Sequence, residues 1–550
     1  MSNNSELSKP NMNSSAERTP VVIIGAGLAG LTMAIALGRH HIPAVLIERR
    51  EATLQHPRAD GFTPRTVEIL RALGFGEDLV PEHEPGFQLR RARVESLTGK
   101  WFEELAWNEG AKPTPASTGA DAEYGASPYS GARVPQDILE PILLRRVEQL
   151  GTIHVRRHHE FVSLTQDDDG VVVSIKGPSG ATSTLHADYL VAADGHRSRV
   201  RESQGIGRKG HGVVNSVKSV LFRAPELAPY LQKGFTQFTI DQPDLKGFLI
   251  AYQDGRLVLH LPNNREYDAE LLQSLVQKAV GSSEAKLEIL GTSQWDLSAL
   301  IADQFCSGRV YLVGDAAHSL PPNRGGYGAN TGVADAHNLA WKLASVVRGV
   351  SDPVLLETYE EERAPVAWLR HDQIFARSDF KTLQQGQGGD TAQPGQEVLD
   401  DEAVEFGQLY RSRGIPNQET GLPDARRPRE WAGQPGTRAP HVWIRVQGGR
   451  VSSLSLFQEA WVVLSDNPDW ASIVAQVRDQ VNGLDLKFVG VEQDADMGPR
   501  FGIVFGLAAS GCTLVRPDGC IAWRTRELCE EPVAALTQAL VAAASLKGQQ

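Results

Sequence analysis

Cysteine is scarce in this chain of 550 residues. The four cysteines fall in no CxxC spacing and in no spacing typical of a metal site; they are Cys306, Cys512, Cys520 and Cys529. A chain of this length with so few cysteines does not carry a disulfide framework. We therefore expect no bound metal and a reducing, cytoplasmic setting.

Long apolar runs and an excess of basic residues are also missing. No stretch approaches the roughly 20 apolar residues that a membrane helix needs, and the formal net charge is −12. Nucleic acids and anionic membranes both favour a basic face, so neither is an expected partner. Residues 1–19 are polar and rich in Ser and Asn, which predicts a disordered tail and not a signal peptide.

A glycine-rich motif near the start of the chain is typical of dinucleotide binding. Gly25, Gly27 and Gly30 lie between a short apolar strand and a helix, and Glu48 ends the next strand. The glycines permit a tight turn and a close approach to a pyrophosphate, while the carboxylate accepts from ribose hydroxyls. The motif predicts a bound dinucleotide but does not distinguish FAD from NAD.

A second candidate site lies between Arg309 and Arg348. An apolar strand runs into Gly314 and Asp315, then into a diproline turn, a glycine-rich loop and a helix. This order brings a carboxylate at a strand end close to the free backbone amides of a helix N-terminus. Together with the first motif, it indicates a flavin.

The remaining pattern predicts an α/β chain of two or three domains. Helices are expected at Ala29–Arg39, Pro64–Leu73, Pro135–Leu150, Ala329–Val347, Val354–Arg377, Asp469–Val481 and Pro532–Ser545. Strands are expected at Val21–Ile24, Ala44–Ile47, Phe161–Leu164, Val171–Ile175, Tyr189–Ala192, Val217–Phe222, Phe235–Ile240, Gly247–Tyr252, Arg256–Leu261, Trp443–Val446, Trp461–Leu464, Leu486–Val491 and Gly511–Val515. Residues 107–132 and 384–396 are expected to be loops.

Two segments carry a resemblance to a known family. The segment from Asp188 to Arg201, with Asp194-Gly195 at its centre, resembles the second fingerprint of the single-component FAD-dependent aromatic hydroxylases, the p-hydroxybenzoate hydroxylase-like family. Gly314-Asp315-Ala-Ala-His318 resembles the third fingerprint. The resemblance covers roughly residues 20–380. The C-terminal region resembles the thioredoxin-like tail of the phenol and polyketide hydroxylase branch, although it has no CxxC pair.

The resemblance implies a Rossmann-like FAD-binding domain of the GR2 type, an inserted β-sheet domain for the substrate and a thioredoxin-like domain. The expected boundaries are a tail at 1–19, an FAD-binding domain at 20–200 and 290–380, a substrate sheet at 201–289 with parts of 86–132, a linker at 381–434 and the thioredoxin-like domain at 435–550.

The resemblance also implies which residues bind FAD. Asp315 would hold the ribityl hydroxyls, and the amides of Gly328, Ala329 and Asn330 would stabilise charge on the reduced ring. Pro322 and Arg58 are the candidate catalytic residues, Pro322 beside the reactive ring carbon. The full set of expected cofactor contacts is Gly25, Gly27, Leu28, Ala29, Gly30, Glu48, Arg49, Arg58, Gln136, Asp194, Gly195, Gly314, Asp315, Pro322, Gly325, Gly328, Ala329 and Asn330.

Several of these residues have a structural alternative. Asp315 could be a helix N-cap, and the diproline Pro321-Pro322 could be a plain rigid turn. Arg197 and Arg201 either help to admit the nicotinamide cofactor or form a solvated helix face. The chain also departs from the family pattern, because both Asn323 and Arg324 stand between the diproline and Gly325, where the family has one residue.

The remaining aromatic and histidine candidates are expected to be mainly structural. His318 is expected to pack and form hydrogen bonds, and His337 and Trp341 to share a packed helix face. Tyr252, Phe238 and Phe248 are candidate pocket walls, with plain core packing as the alternative.

The sequence thus predicts a cytoplasmic FAD-dependent monooxygenase. By resemblance it would use NADPH or NADH and O2 to hydroxylate a phenolic or polyketide-like aromatic through a C4a-hydroperoxyflavin. A base or hydrogen-bond relay for the substrate should line the 214–261 sheet. The alternatives are a Baeyer–Villiger oxygenation or oxidative decarboxylation on the same fold, or an FAD-binding protein that sequesters a ligand without catalysis. A homodimer is left open.

Overall fold

The computed structural model describes residues 17–51, 56–76, 90–105, 125–227, 231, 234–322, 326–377, 397–416, 418–481, 483–492 and 501–548. The helices are α1 (Leu28–Arg39), α2 (Pro64–Ala72), α3 (Gln136–Leu150), α4 (Arg199–Ser203), α5 (Ala269–Val280), α6 (Tyr327–Val347), α7 (Glu357–Ala376), α8 (Asp401–Phe406), α9 (Pro428–Trp431), α10 (Asp469–Gln480), α11 (Phe501–Phe505) and α12 (Pro532–Ala544).

The strands follow in chain order. They are β1 (Glu17–Ile24), β2 (Ala44–Glu48), β3 (Gly61–Phe62), β4 (Arg90–Val94), β5 (Trp101–Leu105), β6 (Ala132–Arg133), β7 (Ile153–Arg157), β8 (Glu160–Asp167), β9 (Gly170–Lys176), β10 (Thr182–Ala192), β11 (Arg208–Arg223), β12 (Phe235–Asp241), β13 (Lys246–Ala251), β14 (Arg256–Pro262), β15 (Glu288–Ala302), β16 (Cys306–Ser307), β17 (Val310–Leu312), β18 (His318–Ser319), β19 (Trp443–Val446), β20 (Gly449–Ser452), β21 (Trp461–Ser465), β22 (Leu486–Gly490), β23 (Cys512–Val515) and β24 (Ile521–Thr525).

The first sheet is the core of a nucleotide-binding domain. Strands β17, β10, β1, β2 and β7 pair in parallel in that order, and their interior residues are almost wholly buried. Helices α1 and α6 pack against each other beside the sheet. Ligands of parallel sheets bind beyond the carboxyl ends of the strands, and the glycine-rich turn after β1 lies there.

The second sheet is mostly antiparallel, and α5 covers one of its faces; the opposite face, which α5 does not cover, is its open face. Its order is β18-β15-β11-β14-β13-β12-β4-β5. Alternate residues of the strands pack with α5, and Leu257, Leu259 and Leu261 of β14 belong to this core. Because side chains alternate along a strand, Val258 and His260 lie on the opposite face.

The C-terminal sheet has the order β22-β21-β23-β24, with β21 and β22 parallel and the other pairs antiparallel. This arrangement, with α10 between the parallel strands and α12 after the last strand, is a thioredoxin-like fold. Trp461 of this domain meets Trp341 of α6 edge to face, with ring centroids 5.6 Å apart. Residues of both domains belong to one continuous apolar core.

Most predicted elements are confirmed, with ends that shift by a few residues. Thr63 caps α2, accepting a hydrogen bond from the amide of Thr66. The sequence prediction missed α5 and β15, and the predicted end of the sheet segment at residue 289 falls inside β15.

Two expectations about irregular segments need correction. Glu17 to Thr19 belong to β1, where they pair with β10, and not to a disordered tail. The part of the expected linker at 397–434 that the structure describes contains α8 and α9. Residues 1–16, most of the 107–132 loop and the 384–396 segment lie outside the described residues.

Candidate active site

The glycine-rich turn brings two motifs into contact. The first motif is the turn itself, Gly25 to Gly30, the second is the segment Asp188 to Arg201, and the third is Gly314 to His318. Gly25 has a φ of +103°, and a Cβ there would overlap the carbonyl oxygen of Ala193, next to Asp194. A Cβ on Gly30 would overlap the carbonyl of Gly25 itself. Only glycine allows both approaches. The first and second motifs therefore form one surface.

Glu48 organises this turn through its carboxylate. One oxygen accepts from the amide of Ala26 at 2.8 Å and the other from the amide of Arg50 at 2.8 Å. Arg49 is exposed. The carboxylate thus fixes the backbone of the glycine-rich turn and of the end of β2.

Helix α1 begins with an uncapped N-terminus. Gly27 is its N-cap and provides no side-chain cap, so the amides of the first turn are available to a diphosphate. Leu28 is buried, and Ala29 packs against the third motif, where its Cβ would lie 2.9 Å from a Cβ placed on Gly314. Gly314 has a φ of +60°. The close packing of Ala29 against the third motif therefore also requires glycine.

Gln136 holds the loop that carries Arg58. Its amide donates to the carbonyl of Ala59 at 2.7 Å, and its Oε1 accepts from the amide of Ala59 at 3.3 Å. Its Nε2 donates to Glu140 at 2.7 Å. Glu140 is buried, and its Oε1 is 3.8 Å from a Cβ built on Gly27. The sequence prediction did not select Glu140, although the i to i+4 spacing from Gln136 was visible.

Arg58 follows Pro57 in the loop that Gln136 holds, and its side chain is exposed. Partial desolvation and the nearby Arg50 lower the pKa of its guanidinium, while Asp315 and Glu140 oppose that shift. Asp315 likewise opposes the lowering of the His196 pKa by burial. The first, second and third motifs therefore face one common region.

Asp194 has an acceptor that nothing in the described residues satisfies. Its Oδ2 accepts from the amide of Val200 at 3.2 Å, whereas its Oδ1 is buried without a partner. Burial raises the pKa of this carboxyl. The adjacent Gly195 has a φ of +86° with open space on the side where a Cβ would stand. An orphaned acceptor beside open space fits a hydroxyl group of bound FAD.

Asp315 lies exposed in a single 3-10 turn, Gly314–Ala316. Val313 is the N-cap of that turn and Gly326 is the N-cap of α6, so the alternative of Asp315 as a helix cap is wrong. A Cβ built on Gly328 would be 3.9 Å from its Oδ1. The carboxylate therefore lies next to the first turn of α6.

The N-terminus of α6 lacks a side-chain cap within the described residues. Its free amides belong to the N-cap and the first three helical residues, which include Gly328 and Ala329. Asn330 is the fourth helical residue, and its buried side chain has a structural use. Its Oδ1 accepts from the Thr66 hydroxyl at 2.6 Å and the Thr63 amide at 3.0 Å, and its Nδ2 donates to nearby carbonyls.

The diproline precedes this helix with one buried and one exposed ring. Pro321 is buried and Pro322 is exposed. Gly325 and the unusual pair Asn323-Arg324 lie outside the described residues.

Arg201 is not part of a solvated helix face. It is 2% exposed and donates to the carbonyls of His196 and Ala316 at 3.4 and 3.2 Å. It thus ties the second motif to the third. Arg197 is exposed and precedes α4, so the two arginines do not share a helix face.

The other histidine and aromatic candidates lie in different places: in the buried core, at the contact with the C-terminal domain and beside a cavity. His318 is fully buried, and its Nε2 lies 2.6 Å from Asp335, which confirms a packing role. Trp341 packs on the C-terminal domain, and His337 lines a polar cavity between the two domains. Phe238 belongs to the core on the α5 side of the second sheet and is therefore not a pocket wall.

The open face of the second sheet carries a polar cluster that the sequence prediction missed. His260 of β14 lies 2.7 Å from the Ser219 hydroxyl of β11, which accepts from Trp295 of β15 at 2.8 Å. Phe248 stacks beside His260, with ring centroids 6.4 Å apart. Tyr252 joins a small apolar group on the same face. The strand alternation that buries Leu259 was the signal that could have located His260.

Comparisons with known proteins agree with this site. Residues 18–373 match the model of an FAD binding domain, and residues 432–544 match the C-terminal domain of aromatic-ring hydroxylases. The chain belongs to the FAD-dependent aromatic-ring hydroxylases. Within this family it is 36% identical to a 4-methyl-5-nitrocatechol 5-monooxygenase from Burkholderia sp, over 95% of this chain and 96% of the relative.

The chain is also similar to other hydroxylases. A tetracenomycin B2 monooxygenase-dioxygenase from Streptomyces olivaceus is 32% identical, over 94% of this chain and 97% of the relative. The crystal structure of aklavinone-11 hydroxylase with FAD and aklavinone superposes with a TM-score of 0.84 at 29% identity, covering 96% of this chain and 100% of that one. This aromatic-ring hydroxylase is therefore a flavin-dependent monooxygenase whose cofactor is FAD and whose class uses NAD(P)H and O2.

The described residues contain no group of three or more potential metal ligands, and no helix there has the length and apolar character to span a membrane.

Proposed function

We propose that this enzyme hydroxylates a phenolic aromatic that lies between the flavin ring and the open face of the second sheet. One observation carries the proposal: Arg256, on the same face of β14 as His260, forms a nearly buried ion pair with Asp137, next to the Gln136 that holds the Arg58 loop. The open face of the sheet and the FAD-binding surface thus enclose one region. The names of two relatives specify 4-methyl-5-nitrocatechol and tetracenomycin B2, and the catechol supports a phenolic substrate.

The residues of the chain would divide the binding of FAD among them. The α1 N-terminus binds the diphosphate, Glu48 the ribose, and Asp194 and Asp315 accept from hydroxyl groups. The free amides of Gly328 and Ala329 stabilise negative charge at one edge of the ring. When bound and reduced, FAD supplies the activation of O2 and the transfer of one oxygen atom.

The protein supplies position and exclusion of water around that chemistry. Pro322 offers no N–H group, so it cannot act as a hydrogen-bond donor beside the ring. Arg58 is placed to balance the charge of the Asp315 and Glu140 carboxylates. The substrate would be oriented by the polar cluster on the open face of the sheet.

Steady-state kinetics with a named substrate test this proposal. We expect 4-methyl-5-nitrocatechol or a polycyclic phenol to stimulate oxidation of NADPH or NADH by the FAD-loaded enzyme. The product should gain one oxygen atom, or release nitrite if oxygen enters at the nitro-bearing carbon. No stimulation by any phenolic aromatic would contradict the proposal. Ring cleavage or loss of CO2 would instead identify the Baeyer–Villiger or decarboxylating alternative.

The cytoplasmic location and the homodimer stay predictions. Light scattering on the FAD-loaded protein would determine the oligomeric state.

A further inference from the structure

The polar cavity beside His337 lies where three parts of the chain meet. Its volume is about 40 Å³, which gives room for about three water molecules. Arg370 of α7 lines it from the FAD-binding domain, Glu405 of α8 from the segment between the domains, and Arg438 from the C-terminal domain. A small group bound in the cavity therefore contacts all three parts at once.

Each of these three side chains has one buried polar atom without a hydrogen-bond partner in the described residues. Arg370 Nε and Arg438 Nη1 are donors, and Glu405 Oε1 is an acceptor. The side chains of Arg370, Glu405 and Arg438 are only 3%, 10% and 6% exposed. Arg370 and Glu405 are 3.6 Å apart, which is too far for a hydrogen bond. The cavity thus presents two donors and one acceptor to a ligand.

The other atoms of both guanidinium groups are held in place. Arg370 Nη1 donates to the Thr331 hydroxyl at 2.7 Å. Arg438 donates from Nε to Glu68 at 2.9 Å and from Nη2 to the carbonyl of Ala126 at 2.9 Å. Since a guanidinium is planar and rigid, these bonds fix the directions of the two unpartnered N–H groups.

The charges around the cavity do not balance. Four arginines line it, and they are Arg65, Arg363, Arg370 and Arg438. They have three carboxylate partners, because Arg65 and Arg438 share Glu68. Arg363 pairs with Asp335, and Arg370 with Glu405. Burial lowers the pKa of Arg370 and of Arg438, as expected where positive charge lacks full compensation.

The neighbouring charged group does not supply the missing negative charge. Asp518 also lines the cavity, but it pairs with Arg516, which pairs with Glu362, which pairs with Lys342. These two acids and two bases are neutral together. Histidines aside, the described residues around the cavity therefore carry one excess positive charge.

These observations select a small anion that also carries a hydrogen. Chloride and nitrate can accept from the two arginines but have no hydrogen for Glu405, and water leaves the positive charge uncompensated. Hydrogencarbonate has acceptor oxygens, one hydroxyl and a single negative charge. It is planar with four non-hydrogen atoms, whereas dihydrogen phosphate is bulkier than this cavity suits.

We propose that the cavity binds one hydrogencarbonate ion as a structural ligand between the domains. Its oxygens accept from Arg370 Nε and Arg438 Nη1, and its hydroxyl donates to Glu405 Oε1. Because the folded, docked state binds the ion, the ion stabilises that state. The inference concerns a site that the proposed hydroxylation does not use, and it does not depend on the identity of the substrate.

Titration of the FAD-loaded enzyme tests the proposal. Sodium hydrogencarbonate is added in a sealed calorimeter cell near neutral pH, at constant ionic strength, and melting is followed by tryptophan fluorescence. We expect one ion per chain, and a melting temperature about 3 °C higher at a hundredfold excess over the dissociation constant. Nitrate and chloride should bind at least about tenfold more weakly, because they cannot form the hydrogen bond to Glu405.

Two variants assign the contacts. Arg370→Gln should weaken hydrogencarbonate binding at least about tenfold, because a charged donor is lost. Glu405→Gln offers an amide N–H in place of the carboxylate, so nitrate should then bind as well as hydrogencarbonate. If Arg370→Gln does not fold, this loss of preference in Glu405→Gln decides the test. Arg411→Gln is the control, since Arg411 is exposed and pairs with the exposed Asp424, and it should bind as the wild type does.

Three results would overturn the inference. Melting that does not respond to any anion at constant ionic strength would show that water fills the cavity. Equal effects of chloride, nitrate and hydrogencarbonate on the wild type would indicate general screening of charge. Unchanged binding by Arg370→Gln, or an unchanged preference in Glu405→Gln, would place the ion elsewhere on the protein.

Discussion

At the scale of single residues, Asp194 gives the sharpest test of the cofactor site. We expect Asp194→Asn to lower FAD affinity about tenfold, because the orphaned Oδ1 loses its charge as an acceptor. The apoprotein should not lose stability, since burial already raises the pKa of this carboxyl and the neutral amide avoids that cost. Isothermal titration with FAD and melting of the apoprotein measure the two effects.

Asp188→Asn is the control for that experiment. Asp188 pairs with the exposed Arg18 at 3.0 Å, and exposed pairs contribute little. FAD affinity of this variant should equal that of the wild type. An Asp194→Asn protein that melts earlier but binds FAD normally would show that the carboxylate is structural.

The sequence could predict those residues whose role depends on the local backbone conformation. Gly25 and Gly314 have positive φ and allow close crossings, as their motifs indicated. The hydrogen bonds that Arg201 and His260 make could not be predicted in this way, because the partners are distant in sequence. Arg201 bonds to Ala316, and His260 to Ser219 and through it to Trp295.

At the scale of elements, local sequence signals again allowed prediction, whereas pairing with a distant strand did not. The β1-α1-β2 unit and the capped α2 follow from signals within a few residues of each element. Strand β15 was missed because its first half is largely exposed and it is ordered by pairing with β11. Helix α5 had a clear amphipathic pattern, an Asp268 cap and a Gly281 stop, so that signal was present in the sequence and was not used.

Asn330 joins two elements, and its removal should loosen the flavin site. Asn330→Ala deletes the acceptor for Thr66 and the Thr63 amide. We expect a loss of about 2 kcal/mol in stability, because buried polar groups at the start of α2 lose their partner. FAD should also dissociate faster, since the α6 N-terminus is held by this side chain.

Thr66→Val provides a graded comparison, because it removes one of these hydrogen bonds and retains the others. Its stability loss should be about half that of Asn330→Ala. Chemical unfolding of the apoprotein and the rate of FAD release by fluorescence would measure both. Equal FAD release from wild type and Asn330→Ala would argue against a role in positioning α6.

At the scale of the whole molecule, buried charges bind the C-terminal domain to the FAD-binding domain. Glu362 of α7 accepts from Arg516 through both oxygens, at 2.7 and 2.9 Å, and from Lys342 at 2.9 Å. Arg516 also pairs with Asp518. These groups are buried, so the cost of desolvation is offset only while every partner keeps its charge. The partners lower the pKa of both Glu362 and Asp518.

Lowering the pH should therefore reduce the folding stability of the whole molecule in two stages. Burial lowers the pKa of His337 to about 3 and that of His40 and His441 to about 4. In the unfolded chain a histidine titrates near 6.5, so the unfolded state gains protons first as the pH falls. Stability present above about pH 6.5 is lost progressively down to about pH 4.

Protonation of the buried carboxylates also reduces the stability of the fold as the pH falls, but at lower pH than the histidines. Glu362 and Asp518 have pKa values below those of unfolded carboxyls, so their stabilisation is present above about pH 4.5 and is lost as the pH falls further. We expect the apparent melting temperature to fall from about pH 6.5 downward and to fall more steeply below about pH 4.5. His337→Gln removes one of the histidines and should flatten the upper part of this curve, while leaving the lower part unchanged. If the variant and the wild type lose stability equally between pH 6.5 and 4.5, then His337 titrates normally in the folded protein and the cavity between the domains is open to protons.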